Sequence, residues 1–333
     1  MTVLTLTDEP SDSLGTALEQ FERQFLYPLG PGRTFRVAHG RRYLPFFQAM
    51  GEARLLVALR GDEVHGTLVI VTRRFVERAK DSPPAGSPPP ALPPRHERPI
   101  HYLCDLKVRP DARSGPALAS LFRRAGEIVR STGVPACYAV VMQGTGRLPV
   151  DYTGRLGIPR FEQAGRIAIL RLTPRQEATI PARDCREVPV DELSVAYERL
   201  APPGLALTGH GSHLRSEMTP VGLIDRGGAA CGLLEDTLRG KRLFTDSDEE
   251  LRSAHLSCFS WHDPQAAARL LESATHAACA RGYPALFVSM PESRLTEILP
   301  LLRDTEALVA PAQIFSYGVA PAGMPWWIDT AEI

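Results

Sequence analysis

The sequence has no surplus of charge, no paired cysteines and no long apolar run, and each absence removes a class of function. Lys plus Arg and Asp plus Glu stand at 38 each, a formal net charge of zero. Binding to nucleic acid or to an anionic membrane leans on excess positive charge, so neither partner is implied. Basic pairs such as Arg73-Arg74 and Lys241-Arg242 read as solvated strand ends. No stretch of 18 apolar residues occurs, which excludes a membrane-spanning helix. The opening residues, MTVLTLTDEPSDS, lack a basic region and turn acidic within ten residues, unlike a secretory signal. The six cysteines (104, 137, 185, 231, 258 and 279) stand singly with no CxxC, so neither disulfide staples nor structural zinc is implied. Cys104, Cys137 and Cys258 fall in apolar, strand-like stretches, where a free thiol acts as a small core residue. A cytoplasmic protein is the expectation.

What is present is ample core material. The chain has 333 residues, 44% apolar and 23% charged, which suits two ordinary domains. Apolar periodicity predicts a helix from Leu14 to Leu26, a strand over 34–40 and a short helix from Tyr43 to Met50. A hairpin follows, ARLLVALR and VHGTLVIVTRRFV about Gly61-Asp62. In residues 81–99 eight of nineteen are Pro, with no periodicity, and a mobile polyproline-like insertion is expected. A strand over 100–108, a helix over 116–131 ending at Gly133, and strands over 135–142 and 167–172 complete the first half. Pro174, Pro181 and Pro189 mark a linker. The second half repeats the order: a hairpin over 220–236, a strand ending at Trp261, helices over 264–280 and 292–303, a strand ending at Met290, and closing strands after 305.

The repeat aligns residue by residue. His101, Cys104 and Pro110 match His255, Cys258 and Pro264 at an offset of 154, whereas Leu121 and Gly133 match Leu270 and Gly282 at 149. The second copy therefore lacks five residues, all within 111–116. Chance likeness of strand-helix-strand units is the competing explanation. The division expected is a lead segment 1–32, an N-terminal lobe 33–174 carrying the Pro-rich insertion, a linker 175–189 and a C-terminal lobe 190–333.

One turn carries chemistry. Val108-Arg-Pro110-Asp-Ala-Arg113-Ser-Gly115-Pro-Ala117 leads from a strand into a helix. Unpaired N–H groups and the helix dipole make such a helix start an anion site, and Gly lets a phosphate come close. This stretch resembles the V-x-P-x-x-R/Q strand end and Gly-rich turn of the Gcn5-related N-acetyltransferase (GNAT) superfamily. The likeness covers 33–173, and 185–320 more weakly. It implies an α/β fold of two GNAT-like lobes, each a mixed twisted sheet flanked by helices. It also implies an acyl-CoA co-substrate, acetyl-CoA in the first instance, no metal, and an amine acceptor on a small molecule, amino-acid derivative or peptide. The cofactor-binding residues implied are Leu106, Lys107, Val108, Arg113, Ser114, Gly115 and Ala117. The turn is one residue shorter than the family's, and Pro116 lacks an N–H. His262-Asp-Pro-Gln-Ala in the second lobe has neither Gly nor Arg, so no pyrophosphate site is expected there.

Three residues are candidates for acid–base work. Asp105 on the central strand is a base if unpaired and desolvated, or else a partner of Lys107 or Arg109, which alternation puts on its face. His101, on that face too, is a base near neutral pH or a structural histidine. The family's acid tyrosine corresponds here to Phe161, which has no proton to give, and Tyr152 is the substitute candidate. Gly-His-Gly-Ser-His (209–213) reads as a loop sooner than a metal tract, and Trp326-Trp327 as a docked tail sooner than a ligand platform. Two functions stay open. One is an acyl-CoA N-acyltransferase; the other is a duplicated fold whose sites have decayed into a binding or scaffold module. A third, peptide-bond formation from aminoacyl-tRNA, sits badly with zero net charge.

Overall fold

The computed structural model describes residues 1–28, 34–78, 96–109, 115–155, 157–175, 185–200, 203–208, 212–319 and 323–333. The segment read as a lead belongs to the sheet. β1 (Thr2–Leu6) lies at its edge, and α1 (Asp12–Glu22) follows, capped by the Ser11 hydroxyl. Next come β2 (Tyr27–Pro28), β3 (Thr34–Ala38) and α2 (Pro45–Gln48). The hairpin forms as β4 (Glu52–Arg60) and β5 (Glu63–Arg78), turning at Gly61 with a φ of +61° that suits glycine. β6 (His96–Val108) starts inside the Pro-rich stretch, whose residues 81–95 lie outside the described ones. α3 (Pro116–Ser131), β7 (Cys137–Met142), the single turn α4 (Pro149–Tyr152) and β8 (Glu162–Pro174) complete the first half. Most of the expected linker, 176–184, is likewise outside the described residues.

The second half holds β9 (Cys185–Val188), α5 (Val190–Arg199), β10 (Gly204–Thr208), α6 (Ser212–Arg215), β11 (Val221–Asp225) and β12 (Ala230–Asp236). β13 (Arg242–Thr245), β14 (Ala254–Trp261), α7 (Pro264–Ala280) and β15 (Leu286–Pro291) come next. The helix expected over 292–303 is instead three short pieces, with α8 (Leu295–Ile298) between two 3₁₀ turns. Pro300 offers no N–H and its ring meets the carbonyl of the preceding turn, so a regular helix cannot run through. β16 (Thr305–Tyr317) and β17 (Trp326–Trp327) close the chain.

The α/β class stands, but a separate sheet for each lobe does not form. One sheet runs β1-β4-β5-β6-β7-β16-β8-β15-β14-β12-β11-β9, with β10 joined to β5 and β17. The halves exchange strands at its centre. β16, the last long strand of the second half, pairs with β7 of the first, and β8, last in the first half, pairs with β15 of the second. β16 and β8 then pair with each other from Thr305–Pro174 to Ser316–Glu162. The exchange covers edges of β7 and β15 that would otherwise present bare N–H and C=O groups. On β8, Ile167 and Ile169 enter the core of the first half, while Ala168, Leu170 and Leu172 enter that of the second. A smaller sheet also joins the halves, with β13 paired to β3 and β3 to β2.

The duplication is visible in the backbone and corrects its own alignment by one residue. His101 N–H donates to Ala136 O, and Ala254 N–H donates to Ala285 O, both at 2.9 Å. Asp105 and Cys258 hold matching positive φ angles of 52° and 51°. Both matches, 101 with 254 and 105 with 258, set an offset of 153, so His101 corresponds to Ala254 and not to His255. At that register the Tyr102–Tyr138 ring stack has its counterpart in His255–Phe287. At this register the second copy lacks four residues, 153 less 149. The connection itself is five shorter, 109–115 joining β6 to α3 and only 262–263 joining β14 to α7, because α7 starts one residue earlier.

Because Ile314 on β16 is fully buried where the halves meet, Ile314→Ala is predicted to lose about 2–5 kcal/mol of stability. Amide exchange should show β5 and β12 losing protection in one step. Protection lost in the second half alone would mean the shared sheet does not couple the two.

Candidate active site

The site starts from a fault in one strand. Leu68 of β5 stands opposite both Asp105 and Leu106, a β-bulge with Asp105 at positive φ. Asp tolerates that conformation better than most residues, and Thr67 Oγ1 donates to the Asp105 carbonyl at 3.2 Å. On its other edge β6 meets β7 only at His101–Cys137 and Tyr102–Tyr138, and beyond them the two strands part. The extra residue flips the side-chain alternation. Leu103, Leu106 and Val108 pack with α3, whereas Tyr102 and Cys104 pack into the opposite core.

Asp105 and Lys107 thus share a face, as alternation predicts, but His101 lies on the other side of the sheet. It sits between Thr72 and Thr132, and burial with Arg54 nearby depresses its pKa to about 4. A neutral, doubly bonded imidazole across the sheet is structural, and His101 is withdrawn as a base. Asp105 is paired. Its Oδ2 accepts from the Tyr43 hydroxyl at 2.5 Å and its Oδ1 from Lys107 Nζ at 2.5 Å. Lys107 Nζ also donates to Glu22 Oε1 at 2.7 Å, and His39 donates to Glu22 through Nδ1 at 2.8 Å and its amide at 2.9 Å. Glu22 comes from α1, and His39 and Tyr43 from the segment between β3 and α2.

Burial alone would neutralise these groups; mutual pairing overrides it. Desolvation raises the Glu22 pKa, but His39 and Lys107 outweigh it and hold the carboxyl below its usual range. Desolvation lowers that of Lys107, but Asp105 and Glu22 push it above the ordinary lysine value. Burial, then the Asp105 carboxylate, push the Tyr43 hydroxyl well up, so it remains a donor. Glu22, His39 and Asp105 place ligand atoms within 4.8 Å of one another, a grouping that suits a metal ion. The Lys107 ammonium bridges the two carboxylates and supplies the positive charge there. The Lys107 side chain is spent within this array, which leaves only its main chain for a ligand.

Of the other cofactor candidates, Arg113 and Ser114 lie outside the described residues. Gly115 is the N-cap of α3, at an extended φ of −91°, with no side-chain cap, and Ala117 follows within the first turn. The Leu106 and Val108 side chains pack on the α3 side, which leaves only their main chain for a ligand at the parted edge. Tyr152 on α4 lies against Phe122 of α3, ring centroids 5.6 Å apart, and burial followed by Asp151 pushes its pKa up to about 12.

The second half has the same two positions, filled by its own chain. At the start of α7 the Asp263 carboxylate accepts from Gln265 N–H at 3.0 Å and Ala266 N–H at 3.3 Å. At the second bulge the Cys258 N–H donates to Asp329 Oδ1 at 3.0 Å. Ser289 Oγ donates to the Ile328 carbonyl and Thr330 Oγ1 to the Phe287 carbonyl, so this segment lies between β14 and β15 where they part. Trp326 and Trp327 are thus a docked tail. Tyr43, Glu22, His39, Asp263 and Asp329 carry no local sequence signal. Only the weak hint of a Glu near a helix end, or of Asp before Pro264, was available.

Neither a protein-family model nor a curated protein matches the chain. Solved structures do. The N-myristoyltransferase of Saccharomyces cerevisiae with bound myristoyl-CoA superposes at a TM-score of 0.59 and 10% identity, over 96% of this chain and 84% of that one. A GCN5-related N-acetyltransferase from Kribbella flavida superposes at 0.50 and 13%, over 94% and 70%. The chain thus has the fold of these acyltransferases.

Removing one partner from a buried ionic array is costly, and Glu22→Gln is predicted to destabilise by about 3–5 kcal/mol at neutral pH. A carboxyl whose folded pKa lies below its ordinary 4.5 contributes stability that is complete above that value and lost as pH falls below it. Urea denaturation against pH should therefore show an acid-side loss in the parent that is reduced in Glu22→Gln.

Proposed function

We propose that the chain is an acyl-CoA-dependent N-acyltransferase with one working site, in the first half. The observation that carries this reading is the contrast between the halves. Both anion-receptive positions of the second half hold internal carboxylates, Asp263 at the helix start and Asp329 at the bulge amide. Among the described residues of the first half, no side chain caps α3, and none is bonded to the Asp105 amide. The α3 start then suits the CoA pyrophosphate and the parted edge of β6 suits the acyl carbonyl. The structural relative from yeast holds myristoyl-CoA, which supports a CoA thioester as donor. Acetyl-CoA is the donor we favour, and a small-molecule or peptide amine the acceptor.

In this reading a C–N bond forms between amine and acyl carbon as the C–S bond breaks. CoA leaves as the thiol, and the acceptor ammonium gives up one further proton to solvent. Tyr152, a hydroxyl that stays protonated at neutral pH, is the residue proposed to protonate the thiolate. Asp105, already bonded by two donors, is a better anion than base, so the role proposed for it is to hold the amine. No helix among the described residues is long and apolar enough to cross a membrane, which accords with a cytoplasmic setting.

Calorimetric titration with acetyl-CoA should give one equivalent bound. Gly115→Val keeps the fold, because the backbone there is extended, but removes the close approach. It is predicted to weaken binding by about 10- to 100-fold, on the order of 1–3 kcal/mol. Asp263→Ala should leave affinity unchanged. Two equivalents bound, or an unaffected Gly115→Val, would overturn the assignment; no CoA ester bound at all would favour the scaffold alternative.

A further inference from the structure

We propose that Tyr43 is a positioning residue for the acceptor: with Lys107 it fixes the Asp105 carboxylate as the anchor for an alkylammonium at the parted edge of β6. What the anchored amine then does rests on the acyltransferase reading above.

Backbone geometry is the first support. Tyr43 and Asp105 are two of four non-glycine residues at positive φ among those described, at 57° and 52°, and they are bonded to each other. Such conformations persist only where the surroundings over-determine them, and they cluster at functional sites. Packing alone does not account for the tyrosine. Its ring is fully buried against His39 and Phe47, a place a phenylalanine would fill, yet it carries a hydroxyl whose acceptor is Asp105.

Exposure and charge are the second support. The side chains of Lys107 and Glu22 are 2% and 1% exposed, whereas that of Asp105 is 11% exposed, so it is the member of the array that reaches outward. Each of its oxygens has one donor and keeps a lone pair for another. Glu22 and Asp105 bring two negative charges against the one positive charge of Lys107. Tyr27 on β2 and Cys104 beside the bulge are held neutral, their pKa values raised chiefly by burial. Lys241 reaches in from the second half and donates to the Ile333 carbonyl, and burial, then Arg215, lower its pKa to about 7. An alkylammonium brings both N–H donors and a positive charge to the free lone pairs of Asp105, whereas an alcohol or aniline brings no charge.

The test combines Tyr43→Phe, Asp105→Asn and the double variant, with n-butylamine and acetyl-CoA as probes. Tyr43→Phe should raise the KM for amine about ten-fold, equivalent to about 1.4 kcal/mol, with acetyl-CoA affinity unchanged. Asp105→Asn should weaken amine binding as well, and Tyr43→Phe should add nothing to it. An unchanged amine KM, additive effects in the double variant, or equal losses of amine and acetyl-CoA binding would overturn the proposal. Carboxyl-carbon NMR of the parent decides it should a variant not fold. The Asp105 signal must move when n-butylamine is added, and a signal that stays put overturns the anchor. That titration needs no turnover. A parent that binds n-butylamine at Asp105 but no CoA ester would sink the acyltransferase reading and leave the anchor standing.

Discussion

The ladder between β8 and β16 is the constraint on which the other features depend. Each is the last long strand of one half in sequence but completes the sheet of the other half in space. Once they pair, neither half can close its own core, because alternate residues of β8 belong to different cores. A row of exposed main-chain groups on β7 or β15 would favour aggregation, and the exchange removes both rows with one pair of strands. It also carries the chain end back across the molecule. Glu332 meets Arg73 of the first half at 2.7 Å and Arg215 of the second at 3.3 Å.

Within that shared sheet the two halves use one device to different ends. Each has a central strand with a bulge at positive φ, a neighbour that parts from it, and a helix starting just beyond. Main-chain N–H groups at such places seek an acceptor. In the second half, carboxylates of the chain itself provide it, and the structure there is closed. The five residues missing from its turn are part of the same change, because Asp263 caps α7 directly from the strand end. The first half keeps the longer turn and a glycine at the N-cap of α3, where no described side chain caps the helix.

The ionic array beside the first bulge shows how position decides chemistry. A lone carboxyl on an apolar strand would be a base of raised pKa. With Tyr43 and Lys107 on its two oxygens the same carboxyl is a fixed anion. Burying Glu22 and Lys107 costs several kcal/mol each in desolvation, and only their close mutual bonds offset it. Such an array is a poor way to gain stability and a good way to fix the direction of one carboxylate.

The sequence alone determined the local elements and the repeat. Gly61-Asp62 turned the first hairpin, Pro116 and Gly133 bounded α3, and the Gly-Val-Pro-Ala and Gly-Tyr-Pro-Ala stretches marked the two copies, because turn and cap chemistry acts within a few residues. It also placed Asp105 and Lys107 together, since strand alternation is local. It misplaced His101 and the His/Cys alignment because a bulge adds one residue to the count, and no composition signals it. The exchange of β8 and β16 was out of its reach, since either strand could pair at home with the same side chains. So was the convergence of Glu22 on Lys107, of Tyr43 on Asp105, and of Asp329 on the Cys258 amide. Those contacts join residues between 62 and 85 positions apart, 71 for the last, and only packing of the whole chain brings them within bonding distance.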